Sequence, residues 1–148
     1  MALTYSPKVG EILECNFGEF LNPPLEPIYN GILAPEIRKR RMIAVINGKL
    51  PNGCCLVIPI SSSHNPNAVE RGFHVHLGSE IFNETKFHCD SRDRWALCEC
   101  ITHVSKRRLF RMFNNGAQVS KILDSAKVTE IQKSIVRVSN ASSLIHNP

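Results

Sequence analysis

No stretch of this 148-residue sequence stays apolar long enough to cross a bilayer. Its first residues, MALTYSPKVGEILEC, lack the basic segment followed by an apolar run that marks a secretory leader. The expectation is an unexported, cytoplasmic protein without membrane attachment. Internal repeats and low-complexity tracts are also missing. With 43% hydrophobic and 21% charged residues, the chain fits one globular domain over 1–148 that buries its own core. A metal-ligand set is lacking as well. The six cysteines include the adjacent Cys54 and Cys55 and a C-x-C at Cys98 and Cys100, rather than two CxxC-type pairs or a Cys/His set at ligand spacing. In a strand, C-x-C points both thiols to one face, so zinc is a competing reading. Reduced thiols used as small core residues are the simpler one. No metal and no cofactor are expected.

Acidic residues are outnumbered. Eighteen Lys and Arg stand against thirteen Asp and Glu, a formal charge of +5. That balance speaks to partners, with nucleic acid first, and not to the fold. Two clusters concentrate it: Arg38-Lys39-Arg40-Arg41, and Lys106-Arg107-Arg108 with Arg111 behind it. Either cluster alone is commonly a solvated face, so charge supports a nucleic-acid reading without carrying it.

Periodicity predicts a mainly β chain. Leu13, Cys15 and Phe17 alternate with Ile12, Glu14 and Asn16, the pattern of a half-buried strand from Glu11 to Phe17. The proline-rich stretch 18–35 is read as a long surface loop. Met42–Ile46 and Cys54–Ile58 are apolar runs joined by NGKLPNG, whose Asn-Gly pairs supply the positive φ values of a hairpin turn, and Pro59 is expected to close the second run. Strands are also expected at Phe73–Leu77, where His74 and His76 share an exposed face, and at Trp95–Ile101. Ser105 is expected to cap a short helix through Phe113, stopped at Asn114-Asn115-Gly116, with a short strand from Val119 to Ile122 after it. Val128, Ile131, Ile135 and Val138 place one apolar stripe on a final helix over about 125–139, followed by a loose tail at 140–148. Five or six short strands with late helices describe an SH3-like small barrel carrying helices, a mainly β (α+β) fold.

Chemistry concentrates where LAPEIRKRRMIAVI enters one strand and CLVIPISSSHN leaves the next. If these strands form a hairpin, arginines and serines meet at one end of it. A guanidinium offers a planar fork to phosphate oxygens and a hydroxyl adds a neutral donor, a clamp for a phosphodiester. A hydrated strand end is the bland alternative.

The order of GEILECNFG, RKRRMIAVI, LVIPISSS, FHVHL, WALCECITHVSKRRL and the helical IQKSIVRV resembles the MazF/PemK family of ribonuclease toxins over most of the chain. The most specific parts are the arginine opening an apolar strand, the PIT-like exit of the next, and the run Trp95, Cys98, Glu99, Ile101, Thr102, Val104, Ser105, Arg108, Leu109, with His103 as an extra residue. By that resemblance the fold is the barrel shared with the gyrase-poison toxins, catalysis falls on Arg41, and the strand-exit hydroxyl is that of Ser61. Two positions depart from the family. Met42 stands where proline is usual, and Ser61 where threonine is common. The first loosens a backbone constraint without removing a chemical group, and the second keeps the hydroxyl.

The resemblance implies a metal-independent endoribonuclease for single-stranded RNA, a homodimer, and a cognate acidic antitoxin as partner. The RNA's own 2′-hydroxyl attacks phosphorus in such an enzyme. Arg41 stays protonated and is read as stabilising transition-state charge. His64, three residues beyond Ser61, is the nearby side chain with an ordinary pKa suited to accepting the proton, against the alternative of a solvent-facing loop histidine. Arg38, Lys39, Arg40, Ser62, Ser63 and Asn65 are candidate RNA contacts. Trp95 is read as core or dimer contact, and Lys106 to Arg108 as solvent-facing. The competing functions are a non-catalytic barrel that inhibits a protein such as gyrase, which has no need of the Arg41/Ser61 pair, and a plain RNA-binding barrel.

Overall fold

The computed structural model describes residues 3–19, 31–82 and 92–145. In chain order the strands are β1 (Glu11–Asn16), β2 (Arg40–Asn47) and β3 (Cys54–Ser61). After the five-residue helix α1 (Pro66–Glu70) come β4 (His74–Gly78), β5 (Arg94–Leu97), β6 (Thr102–Ser105), β7 (Leu109–Phe110), β8 (Met112–Asn114), β9 (Ala117–Val119) and β10 (Lys121–Ile122). Helix α2 (Ser125–Val138) closes the described core. One antiparallel sheet runs β10-β1-β2-β3-β5-β4, with β6 also on β3 and β7 also on β1, so the sheet curls into a partial barrel. The expected mainly β fold with a late helix is the fold found.

Why β2 and β3 read as unbroken apolar runs follows from their surroundings. Both faces of the sheet are covered, as for any strand with no solvent side. One face holds Ile12, Met42, Ala44, Ile58, Ile60 and Ala96 against Val128 and Ile131 of α2. The other holds Leu13, Cys15, Phe17, Ile43, Val45, Val57, Val104 and Leu109. The first strand is therefore not half-buried. Ile12 and Glu14, on its supposed outer face, are 1% and 2% exposed.

Helix α2 forms as its stripe predicts. Asp124 caps it, its side chain accepting from the Lys127 N–H, and Val128 and Ile131 are buried. Several local expectations fail for tertiary reasons. Pro59 does not end β3 but sits inside it, opposite Ile43. On the far edge, β3 pairs with β6 up to Val57 and with β5 from Ile60, so the proline falls where that edge changes partner and no ladder needs its N–H. The same change breaks the strand expected over Trp95–Ile101: a single 3-10 turn, Cys98–Cys100, carries the chain from β5 to β6. Ser105 does cap, accepting from the Arg107 N–H, but only the turn Lys106–Arg108 follows. The rest of the expected helix is β7 and β8, and Asn115 and Gly116, at φ 51° and 80°, turn the β8–β9 hairpin instead of stopping a helix. The tail is in part ordered, with a 3-10 turn at Ser142–Ile145. Most of the expected 18–35 loop, and Cys89, lie outside the described residues. No helix among the described residues is long and apolar enough to cross a membrane.

Candidate functional site

Arg41 owes its position to the residue two before it. Lys39 is held at φ 74°, a left-handed conformation costing about 1–2 kcal/mol for a residue with a Cβ. Backbone bonds to the end of the first strand fix it there: Lys39 donates to the Gly18 carbonyl at 2.6 Å and accepts from the Phe17 N–H at 2.9 Å. This kink brings the Arg38 carbonyl to the Arg41 side chain, whose Nε donates to it at 2.9 Å. The Arg41 side chain is thus steered by the backbone before it. Alternation along β2 sends Arg40 the other way. Its guanidinium donates to the Glu14 carboxylate at 2.8 Å and lies 4.6 Å over the Phe110 ring. Arg38 pairs with Glu19 at 2.8 Å, and Lys39 is exposed.

At the other side of the hairpin, register decides which side chains meet. Ile43 opposes Pro59, the last pair of the β2–β3 register at this end, and two residues beyond it the strands reach Arg41 and Ser61. Ser61 in turn opposes Trp95 of β5, and Trp95 opposes His76 of β4. Residues directly opposed in a sheet share a face. Ser61, Trp95 and His76 therefore form one row across three strands, each about 4.8 Å from the next, and Arg41 stands at the adjoining end of β2. Ser61 Oγ accepts from the Ser63 N–H at 3.0 Å, which tightens the strand exit. His64 is exposed on one side and stacked on the other, its ring 4.7 Å from that of Trp95 and 12° from parallel. It is therefore not a free loop histidine. His76 lies 5.6 Å from the same indole and places Nε2 3.0 Å from Asp93 Oδ1. Arg92 donates to Ser62 Oγ at 3.4 Å. Asn65 is occupied locally, its side-chain oxygen capping α1 through the Ala68 N–H.

A groove of about 470 Å³ opens between the end of the first strand and the Cys98–Cys100 turn, lined by Phe17, Ile32, Cys100, Ile101, His103 and Arg108 among others. Arg108 is exposed, as expected, and its guanidinium reaches back to donate to the Asn16 carbonyl at 2.9 Å. Cys100 is no nucleophile. Burial, then the Glu99 carboxylate, push its thiol up to about 11 against the lowering effect of Arg41, so it stays protonated at neutral pH.

Other expectations need correcting. His74 and His76 do not share an exposed face: His74 is 8% exposed and bonds Glu99 Oε1 through Nε2 at 2.6 Å. The 3-10 turn that breaks the long strand presents Glu99 to it. Trp95, by contrast, is buried at 8% exposed, as its reading as a core residue expects, with the His64 and His76 rings against it. Among the described residues no three His, Cys, Asp or Glu side chains converge as a metal would require. Sequence reasoning passed over Arg92 and Asp93, and set His76 aside. The pairing of β5 with β3 and β4 assembles most of these contacts, and no local pattern encodes it.

Comparison with known proteins agrees with this architecture. The chain is 37% identical over 150 residues to the putative uncharacterized protein YifN of Escherichia coli strain K12, covering 99% of this chain and all of that protein. It is 40% identical over 141 residues to an uncharacterized protein of Haemophilus influenzae, covering 95% of each. Residues 8–139 match the family described as PemK-like, MazF-like toxin of type II toxin-antitoxin system. With its curled sheet, arginine-led second strand and C-terminal helix, the chain belongs to the PemK/MazF-like toxins of type II toxin–antitoxin systems.

Proposed function

We propose that this protein is a metal-independent endoribonuclease that cuts single-stranded RNA and serves as the toxin against which a cognate antitoxin acts. The grouping of Arg41 with the row Ser61–Trp95, and His64 stacked on the indole, carries this reading. It gathers a fixed cation, a hydroxyl and an imidazole at one strand end. The scissile phosphate sits on the Arg41 guanidinium and the Ser61 hydroxyl. His64 takes the proton of the ribose 2′-hydroxyl as its oxygen bonds to phosphorus. Arg41 meets the charge that builds on the non-bridging oxygens, and the bond to the 5′-oxygen breaks, that oxygen taking a proton from water to leave as the 5′-hydroxyl. The nucleophile belongs to the substrate, so the step asks for no metal-activated water, and a DNA strand binds without being cut. Arg38, Lys39, Ser62 and Ser63 surround the row as phosphate contacts. Dimerisation doubles the site.

The test is incubation of the purified protein with a mixed single-stranded RNA in excess chelator, followed by end-group analysis. Fragments with 2′,3′-cyclic phosphate and 5′-hydroxyl ends are expected. Intact RNA, or cleavage that returns only with a divalent ion, would refute the proposal, and intact RNA that is nonetheless bound would support a plain RNA-binding barrel.

A further inference from the structure

The sheet ends at β4, and α2 packs beside that edge to leave a second groove, of about 360 Å³, lined by His74, Val75, His76, Lys127, Glu130, Lys133 and Arg137. We infer that single-stranded RNA leaves the catalytic row across β4 and runs on into this groove, where Lys133 and Arg137 hold its phosphates. The inference rests on the ribonuclease reading above and extends it to the path of the substrate.

Continuity favours RNA as the occupant. His76 belongs to both places, since it touches the Trp95 ring in the row and lines the groove. A strand crossing Arg41, Ser61 and Trp95 in the direction of the row arrives at His76 and has the groove before it. Charge agrees: three cations face one carboxylate, and that carboxylate, Glu130, pairs with Lys127 at 2.8 Å. Lys133 and Arg137 stand four residues apart on α2, with Cβ atoms about 5–6 Å from each other, so they offer two positive charges in line. Arg137 is held in place. Its stem lies over Gly72, where an added Cβ would come within 2.9 Å of Arg137 Cδ, and Gly72 is anchored to α2 by the Ser134 hydroxyl on its carbonyl. The wall also contains the buried His74 ring. Its side chain is 6% exposed, and its Nδ1 has no hydrogen-bond partner. A buried polar atom of this kind is an acceptor or donor still open to a ligand or to water.

The experiment compares two RNAs carrying a single 2′-deoxy sugar at the scissile position: a long oligonucleotide, and one trimmed to the nucleotides beside the scissile bond. Lys133→Ala/Arg137→Ala in the full chain should weaken the long RNA on the order of tenfold and lower its salt slope by about 0.7 for each contact removed. The trimmed RNA should bind unchanged, and its all-RNA parent should be cut at the unaltered single-turnover rate. Glu130→Lys should strengthen binding of the long RNA, a gain that damaged folding does not produce. Loss on both lengths, or on neither, would overturn the path, as would a polyglutamate peptide whose binding alone depends on these residues, which marks the groove as a protein-docking surface. Failure of the path is distinguishable from failure of the ribonuclease reading: in the first case the wild-type protein still cuts both all-RNA parents, in the second it cuts neither.

Discussion

At the scale of single residues, neighbouring arginines do opposite work because a strand alternates. Arg40 compensates Glu14, whose side chain is 3% exposed, while itself staying 45% exposed. Removing it strands a buried carboxylate that water can partly reach. Arg40→Ala should therefore cost about 1–2 kcal/mol of stability, measured by urea unfolding. An unchanged midpoint would show that Glu14 finds another partner. The types of residue at the strand ends are plain in the sequence, but this division is not, since it depends on which side of β2 faces the α2 helix. Cysteines make a second case. Burial pushes the Cys15 thiol from 9.0 up to about 12 and that of Cys98 up to about 11. The folded state thus keeps protons that the unfolded chain releases above about pH 9. The stability these thiols contribute is complete below pH 9 and lost as pH rises toward 11–12. Denaturant midpoints should fall between about pH 8 and about pH 10.5, and Cys15→Ala should flatten that fall. An equal decline in wild type and variant would show that Cys15 ionises as freely in the fold as outside it.

At the scale of elements, the β2–β3 hairpin shows how far local chemistry reaches. Two Asn-Gly pairs announce a turn, and a turn is there, yet only Gly53 supplies the positive φ, at 78°. Gly48 is needed for a different reason. A Cβ there would stand 2.0 Å from the Pro7 carbonyl oxygen. Gly53→Ala meets nothing within 4 Å and should cost only the left-handed strain, about 1–2 kcal/mol. Gly48→Ala forces two backbone segments apart and should cost more, about 2–3 kcal/mol. Thermal unfolding of both variants checks the order, and the reverse order would contradict the close approach. Helix α2 was readable because its stripe and cap are both local. The turn at Cys98–Cys100 and the strands β7 and β8 were not, because they answer to the change of partner along β3. The same limit hid the His76–Asp93 pair and the Trp95 stack: each needs β4, β5 and the loop after β3 to be placed together first.

At the scale of the whole molecule, a +5 chain of 148 residues folds into a curled sheet whose two faces are filled, leaving its chemistry at strand ends and edges. One such end carries Arg41, Ser61, His64 and Trp95, and one edge carries the basic side chains of α2. The PemK/MazF-like family identifies the kind of protein, and the ribonuclease reaction is what we propose for it. The central claim is that Arg41 acts on the transition state rather than on binding. The direct measurement is the single-turnover cleavage rate of Arg41→Ala on an all-RNA substrate, alongside its affinity for the same sequence with one 2′-deoxy sugar at the scissile position. The account predicts a rate lowered by about two to three orders of magnitude, roughly 2.7–4 kcal/mol, with affinity little changed. A variant that cuts at the wild-type rate, or loses affinity as steeply as rate, would contradict it.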